Sequence, residues 1–169
     1  MLTKIVQQKH PGLHREAKLV PLAEIESAKI KKIITDMKIT LANQDDGVAL
    51  AAPQIAAPWR IFIIAGKILS KDPESKKIPA DLVFINPRLL KVSKKKEEME
   101  EGCLSVRWLY GVTKRSTKAT IEAYDQDGKK FIRHGSGLIA QIFQHEVDHL
   151  NGVLFTDHAT DLREIKPEQ

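Results

Sequence analysis

The chain has 169 residues, 42% of them hydrophobic and 29% charged, an ordinary balance for a soluble globular protein with one domain spanning 1–169. Its 27 Lys and Arg exceed its 22 Asp and Glu, for a net charge of +5. The single cysteine, Cys103, excludes an intrachain disulfide, and no apolar run is long enough to span a bilayer.

The first 20 residues mix charges with Pro11 and Gly12 and read as an irregular lead-in without the apolar run of a signal peptide, so a cytoplasmic location is expected. Over 24–43, Ile30, Ile33, Ile34, Met37 and Leu41 recur at helical spacing and predict one apolar stripe on a helix. "NQDDG" (43–47) ends it. "RIFIIA" (60–65) and "LVFIN" (82–86) are rich in branched and aromatic residues and predict strands, with a polar loop over 66–81 between them and Pro87 ending the second. "KVSKKKEEMEE" (91–101) sets four lysines against four glutamates and nearly neutralises itself. Residues 117–134 predict a strand, a turn at Asp127-Gly128 and a second strand. "SGLIAQIFQHEVDHLNG" (136–152) predicts a second helix, with Ser136 as N-cap and Gly152 just past its end. The order of elements implies an α+β fold: mixed, largely antiparallel sheets packed around a central helix, with an N-terminal helix before them.

That second helix carries the chemistry. His145 and His149 are four residues apart, so both imidazoles leave one face at the spacing of two ligands to one metal. Glu146 projects beside such a metal, where a carboxylate can act as general base. The same pattern also occurs as a surface ion pair, but "LIAQIF" makes this helix apolar, and buried histidines and carboxylates need partners. A catalytic centre needs a third protein ligand. A zincin-like metallopeptidase supplies it downstream, where one class of zincins requires a histidine and this chain has Phe155; Asp157 and His158 remain as candidates. Upstream, Cys103 in "EEGCLSV" offers a thiolate suited to Zn²⁺ or Fe²⁺, with Gly102 allowing a sharp bend beside it.

Three motifs occur in order: "GVALAAPQ" (47–54), "EGCLS" (101–105) and "QHEVDH" (144–149). Together they closely resemble the signature motifs of the peptide deformylase family along nearly the whole chain. The resemblance implies that Cys103, His145 and His149 hold one divalent ion, commonly Fe²⁺, with Zn²⁺ or Ni²⁺ able to take its place. It implies Glu146 as general acid/base, and Gln54 with the backbone N–H of Leu104 as the oxyanion hole. Gly47, Val48 and Ala49 would line the substrate. The implied reaction removes the formyl group from the N-formylmethionine of a nascent peptide and releases formate. The implied partner is that peptide. The positive charge can attract ribosomal RNA, so contact with the ribosome belongs to the reading, although a solvated basic surface is the simpler account. The chain has no nucleic-acid motif, and neither DNA nor a membrane is expected.

Glu101 and Asp148 are acidic in the family pattern too and could orient ligands, Asp148 equally serving a structural ion pair; charge alone suggests Arg115 as the partner of Glu101. The chain departs from the family at three places. Ala49 stands where the first motif usually has a glycine. Val106-Arg107-Trp108 replaces a small apolar residue and proline. After His149 only "DLREIKPEQ" is left for a short terminal helix, where many bacterial members carry a longer one that could dock the ribosome.

Overall fold

The computed structural model describes residues 1–70 and 78–167. The middle of the expected polar loop over 66–81 therefore lies outside the described residues. Its base is closed where the Gly66 N–H donates to Asp81 Oδ1 at 2.8 Å.

Two α-helices are described, α1 (Ala28–Ala42) and α2 (Leu138–Leu150). The strands are β1 (Ala49–Ala51), β2 (Ile61–Ile64), β3 (Leu82–Val92), β4 (Lys96–Gly102), β5 (Leu109–Ser116), β6 (Lys118–Tyr124), β7 (Lys130–Ser136) and β8 (Thr160–Glu164). They form a five-stranded sheet in the order β1-β2-β3-β6-β7 and a three-stranded sheet in the order β4-β5-β8. All these pairings are antiparallel. The fold is α+β, as expected.

Strand β2 shows why the large sheet sits at the centre. Its "IFII" is apolar throughout because both faces are covered. Ile61 and Ile63 join the core built with Ile30, Ile34, Met37 and Leu41 of α1. Phe62 and Ile64, pointing the other way, join Phe84, Ile121 and Phe143 under α2. Phe62 stacks on its cross-strand neighbour Phe84 at 4.4 Å between centroids, and Phe84 meets Phe143 edge-on at 5.6 Å.

Helix α1 begins four residues later than the periodicity predicts. Ser27 accepts from the Ile30 N–H and caps it, while Leu22–Glu24 winds as a 3-10 turn. The stripe is as read, except that Ile33 is only partly buried.

Four other expectations are corrected. Pro87 does not end a strand: β3 runs through it on a bulge between Ile85 and Arg88. Asn86 takes φ 51° there, and its side chain exchanges two 2.8 Å hydrogen bonds with the Val20 backbone. A proline at a bulge removes no ladder bond. Ser136 does not cap α2, because it is the last residue of β7. Gly137, at φ 55°, makes the turn directly from strand to helix. The terminal segment is not a helix; it pairs with β5 as β8. The lead-in is tied down: Leu13 and Val20 are buried, and the Ala17 N–H donates to Leu150 O at 2.9 Å.

Gly152 does lie just past α2, at φ 74°. A Cβ there would come within 2.8 Å of the His14 carbonyl carbon, so the end of α2 seats directly on the lead-in backbone.

Candidate metal centre

Helix α2 presents His145 and His149 on one face, their ring centroids 4.8 Å apart. Cys103 follows β4 in a tight turn closed by Val106 N–H donating to Cys103 O. The residue before it must be glycine: a Cβ on Gly102 would lie 2.7 Å from the Tyr110 ring. This turn brings Cys103 Sγ to 3.2 Å from His149 Nε2. The ligand atoms of Cys103, His145 and His149 all lie within 4.8 Å of one another. The thiol comes from upstream, as the zincin pattern does not require. His158, the downstream candidate, instead sets its Nε2 3.6 Å from Asp148 Oδ2.

Behind the histidines lies a buried carboxylate network. Glu101 Oε2 is 3.1 Å from His145 Nδ1, which leaves Nε2 to face the thiol side. Arg115 grips Glu101 with two prongs, Nε to Oε1 at 3.1 Å and Nη2 to Oε2 at 2.7 Å. Its Nη1 donates to Asp148 Oδ2 at 2.6 Å. Asp148 thus braces Arg115, and the pairing suggested from charge is present. Thr113 Oγ1 and Gln141 Nε2 also donate to Glu101 Oε1, at 3.1 and 3.2 Å. Burial works against the Glu101 carboxylate, but hydrogen bonds from His145 and Arg115 outweigh it and hold its pKa well below the usual range. His145 likewise resists its burial, and its bonds to Cys103 and Glu101 raise its pKa. His149 is pushed the other way, by burial and then by the neighbouring His145 charge.

Glu146 is 4% exposed. Burial pushes its pKa up to about 7, near neutrality, where a carboxyl group can both take and return a proton. Its Oε2 has no hydrogen-bond partner among the described residues, and neither does His149 Nδ1. A buried, unpartnered carboxylate oxygen beside a thiol and two imidazoles is what a hydrolytic cation site supplies. Soft sulfur with two imidazoles fits Zn²⁺ or Fe²⁺, and three protein ligands leave an open position. The residues therefore fit the ion.

Gln54 is 2% exposed and held at its oxygen, since the Ala51 N–H donates to Oε1 at 2.8 Å. Its Nε2 donates to Ser105 Oγ at 3.1 Å and lies 3.6 Å from Cys103 Sγ. A cavity of about 290 Å³ opens above, lined by Val48, Ala49, Gln54, Cys103, Leu104, His145 and Glu146 among others. Gly47 is not in its lining; it packs behind, against Gln44 and Leu41. Ala49, where the family motif usually has glycine, is 6% exposed and paired with Ile64 in β1. Arg107 also lines the cavity and pairs with Asp46 across it.

Sequence reasoning had no part for Ser105, Gln141 or Tyr110. Gln141 carried a signal, because it lies one helical turn before His145 and so shares its face. Ser105 stands inside the "EGCLS" motif, but its partner Gln54 depends on the turn after β4, and Tyr110, which packs over Gly102, carries no signal in the pattern.

Comparison with known proteins points one way. The family model described as polypeptide deformylase matches residues 2–164. The chain is 38% identical over 139 residues to peptide deformylase 2 of Clostridium acetobutylicum, covering 82% of this chain and 84% of that one. It is 38% identical over 153 residues to the peptide deformylase of Agrobacterium fabrum, covering 90% and 84%. A peptide deformylase structure from Legionella pneumophila superposes with a TM-score of 0.80 at 34% identity, covering 95% of this chain and 88% of that one. A Met-Ala-Ser-bound class I type b peptide deformylase from Acinetobacter baumannii superposes at 0.82 with 29% identity, covering 94% and 99%.

Proposed function

The chain belongs to the polypeptide deformylase family, and we propose that Cys103, His145 and His149 hold its catalytic ion, that Glu146 moves the protons, and that Gln54 with the Leu104 N–H meets the developing oxyanion. The enzyme is a hydrolase that removes the N-formyl group from N-formylmethionine of nascent peptides. The observation that carries the assignment of roles is the unpartnered, buried Glu146 Oε2 beside the Cys-His-His cluster. We take Fe²⁺ as the native ion, with Zn²⁺ or Ni²⁺ able to replace it. We place the reaction in the cytoplasm, with the ribosome as the site where the substrate is met.

A bound ion supplies Lewis acidity, which brings the pKa of a water towards neutrality. Leu138, Ile142 and Val48 give the cavity an apolar wall, on which the substrate's Met side chain would rest. Glu101 fixes His145 by its Nδ1, so its Nε2 stays aimed at the centre. Glu146 takes one proton from the attacking water. A C–O bond forms at the formyl carbon, and the oxygen that becomes negative is met by Gln54 Nε2–H and the Leu104 N–H. Glu146 then returns the proton to the methionine nitrogen as the C–N bond breaks, and the remaining hydroxyl proton passes from formic acid to the freed amine or to solvent, leaving formate. Gln54 serves this without reorganising, because its oxygen is already tied to Ala51.

The test is formate release from formyl-Met-Ala-Ser by protein loaded anaerobically with Fe²⁺ or Ni²⁺. Glu146→Gln is expected to keep its metal and lose at least about 10²-fold in kcat. Full turnover by that variant would remove Glu146 from the mechanism. The zincin-like alternative predicts that Cys103→Ala keeps its metal, whereas the present reading expects that variant to bind far less.

A further inference from the structure

We propose that the outer face of β3, β6 and β7 is an RNA-docking surface, on which Lys91, Lys118 and His134 receive phosphates of ribosomal RNA beside the emerging peptide. The partner rests on the deformylase reading, since an enzyme that meets nascent peptides works next to ribosomal RNA.

Strand β6 alternates strictly. Ala119, Ile121 and Ala123 face inward and join the core under α2, so Lys118 and Thr120 face out, away from α2 and the metal centre. The register then builds two adjacent rows. Lys91 stands opposite Thr120, and Thr120 opposite His134. Lys118 stands opposite Ser136. Together with Ser93 these residues line one open groove.

The groove is held in shape by its own hydrogen bonds. The Lys118 N–H donates to Ser93 Oγ at 3.1 Å, and Ser116 Oγ donates to Ser93 O at 2.8 Å. Thr120 Oγ1 lies 2.9 Å from His134 Nδ1, which leaves Nε2 as the ring nitrogen free to meet a ligand.

Charge separates the two ends of this face. At one end Glu122 takes ion pairs from both Arg88 and Lys130, at 3.3 and 3.2 Å. At the groove end, Lys91 and Lys118 have no acidic partner among the described residues, and neither does Lys94 in the adjoining turn. Uncompensated ammonium groups on a rigid sheet attract phosphate, and hydroxyl groups between them can meet ribose 2′-hydroxyls.

The experiment is fluorescence anisotropy of a labelled single-stranded RNA oligonucleotide with the metal-loaded enzyme across a salt series. Lys91→Glu/Lys118→Glu is compared with Lys31→Glu/Lys38→Glu on α1, which makes the same change in net charge. The groove variant is expected to bind at least about tenfold more weakly, with a log–log salt slope shallower by about 1.4 for two lost phosphate contacts, while the α1 variant changes little. Equal weakening in both variants, no RNA binding by the parent, or tighter binding to phosphatidylglycerol vesicles than to RNA would each overturn the proposal. Formate release is measured on the same samples and is expected to be unchanged. If the parent released no formate while the groove variant still lost RNA, the deformylase reading would fail and the docking surface would stand.

Discussion

All four residues of β2 are apolar and buried, whereas among the seven residues of β4 the buried one is Glu101. The large sheet is held by aromatic and branched side chains packed between two helices. The small sheet turns polar groups inward: Glu101, Thr113, Arg115 and Ser116 are all buried, and they meet α2 through Asp148, His145, Gln141 and Gln144. Hydrophobic burial is non-directional and tolerates small shifts; a two-pronged guanidinium–carboxylate contact does not. The half of the molecule that must place Cys103 within reach of two histidines is therefore the half built on directional contacts.

The sharpest way to separate the two halves is to empty each core in turn. Phe143→Ala, in the aromatic cluster, is expected to cost roughly 3–5 kcal/mol in urea unfolding while the folded fraction keeps its metal. Loss of metal in proportion to nothing but unfolding would agree; loss beyond it would mean the halves are not separable. Arg115→Leu is expected to cost about 3–5 kcal/mol as well, because Glu101 is left buried without its cation. Here metal content should fall in the folded protein too. Glu101→Gln is milder in stability but should weaken metal affinity by about 10–100-fold, read by competition with a chelator, since His145 loses its orienting carboxylate. An unchanged affinity would remove Glu101 from the site.

The smallest effect belongs to Asp46, at the cavity mouth. A hydrogen bond from Arg107 holds its carboxyl below the ordinary range. A carboxylate with a depressed pKa adds stability above its unfolded value of about 4, and that gain is lost as pH falls through the folded value. The pair is exposed, so the gain is small and screened by salt. The parent should exceed Asp46→Asn slightly in thermal midpoint at pH 6, and this margin should close below about pH 4. A margin that did not shrink at all as pH falls below about 4 towards the acid limit of the folded state would show that the contact does not depend on the charge of Asp46.

The same contrast explains which elements could be read from the sequence. The periodicity of α1, the apolar runs of β2 and early β3, and the hairpin of β6 and β7 follow from side chains that sort by burial. β4 and β8 do not, because most of β4 and all of β8 are exposed, so no apolar alternation marks them. A run of lysines and glutamates reads as a solvated loop, and only pairing with β5 makes it a strand. Pro87 reads as the end of β3 for a sound local reason that a bulge overrides. The candidate ligands His145 and His149 are legible because a motif fixes their spacing on a helix, and Cys103 because it is the one thiol. Arg115 could be matched to Glu101 by charge. The role of Ser105 beside Gln54, and the distance of Gly47 from the cavity lining, depend on the turns at 52–55 and 103–106.

The contact between Gly152 and the backbone at His14 and Arg15 bears on the order in which the protein is made. The helix carrying both histidines ends against a segment from the opposite end of the chain, and the Ala17–Leu150 bond fastens the two together. Contacts so distant in sequence come late, because the long loop between them must close before they repay its entropy. The stretch His14–Ala17 thus takes its final seat only once α2 has formed, while its neighbours Val6 and Lys18 bind earlier segments, at Gln54 and Pro58.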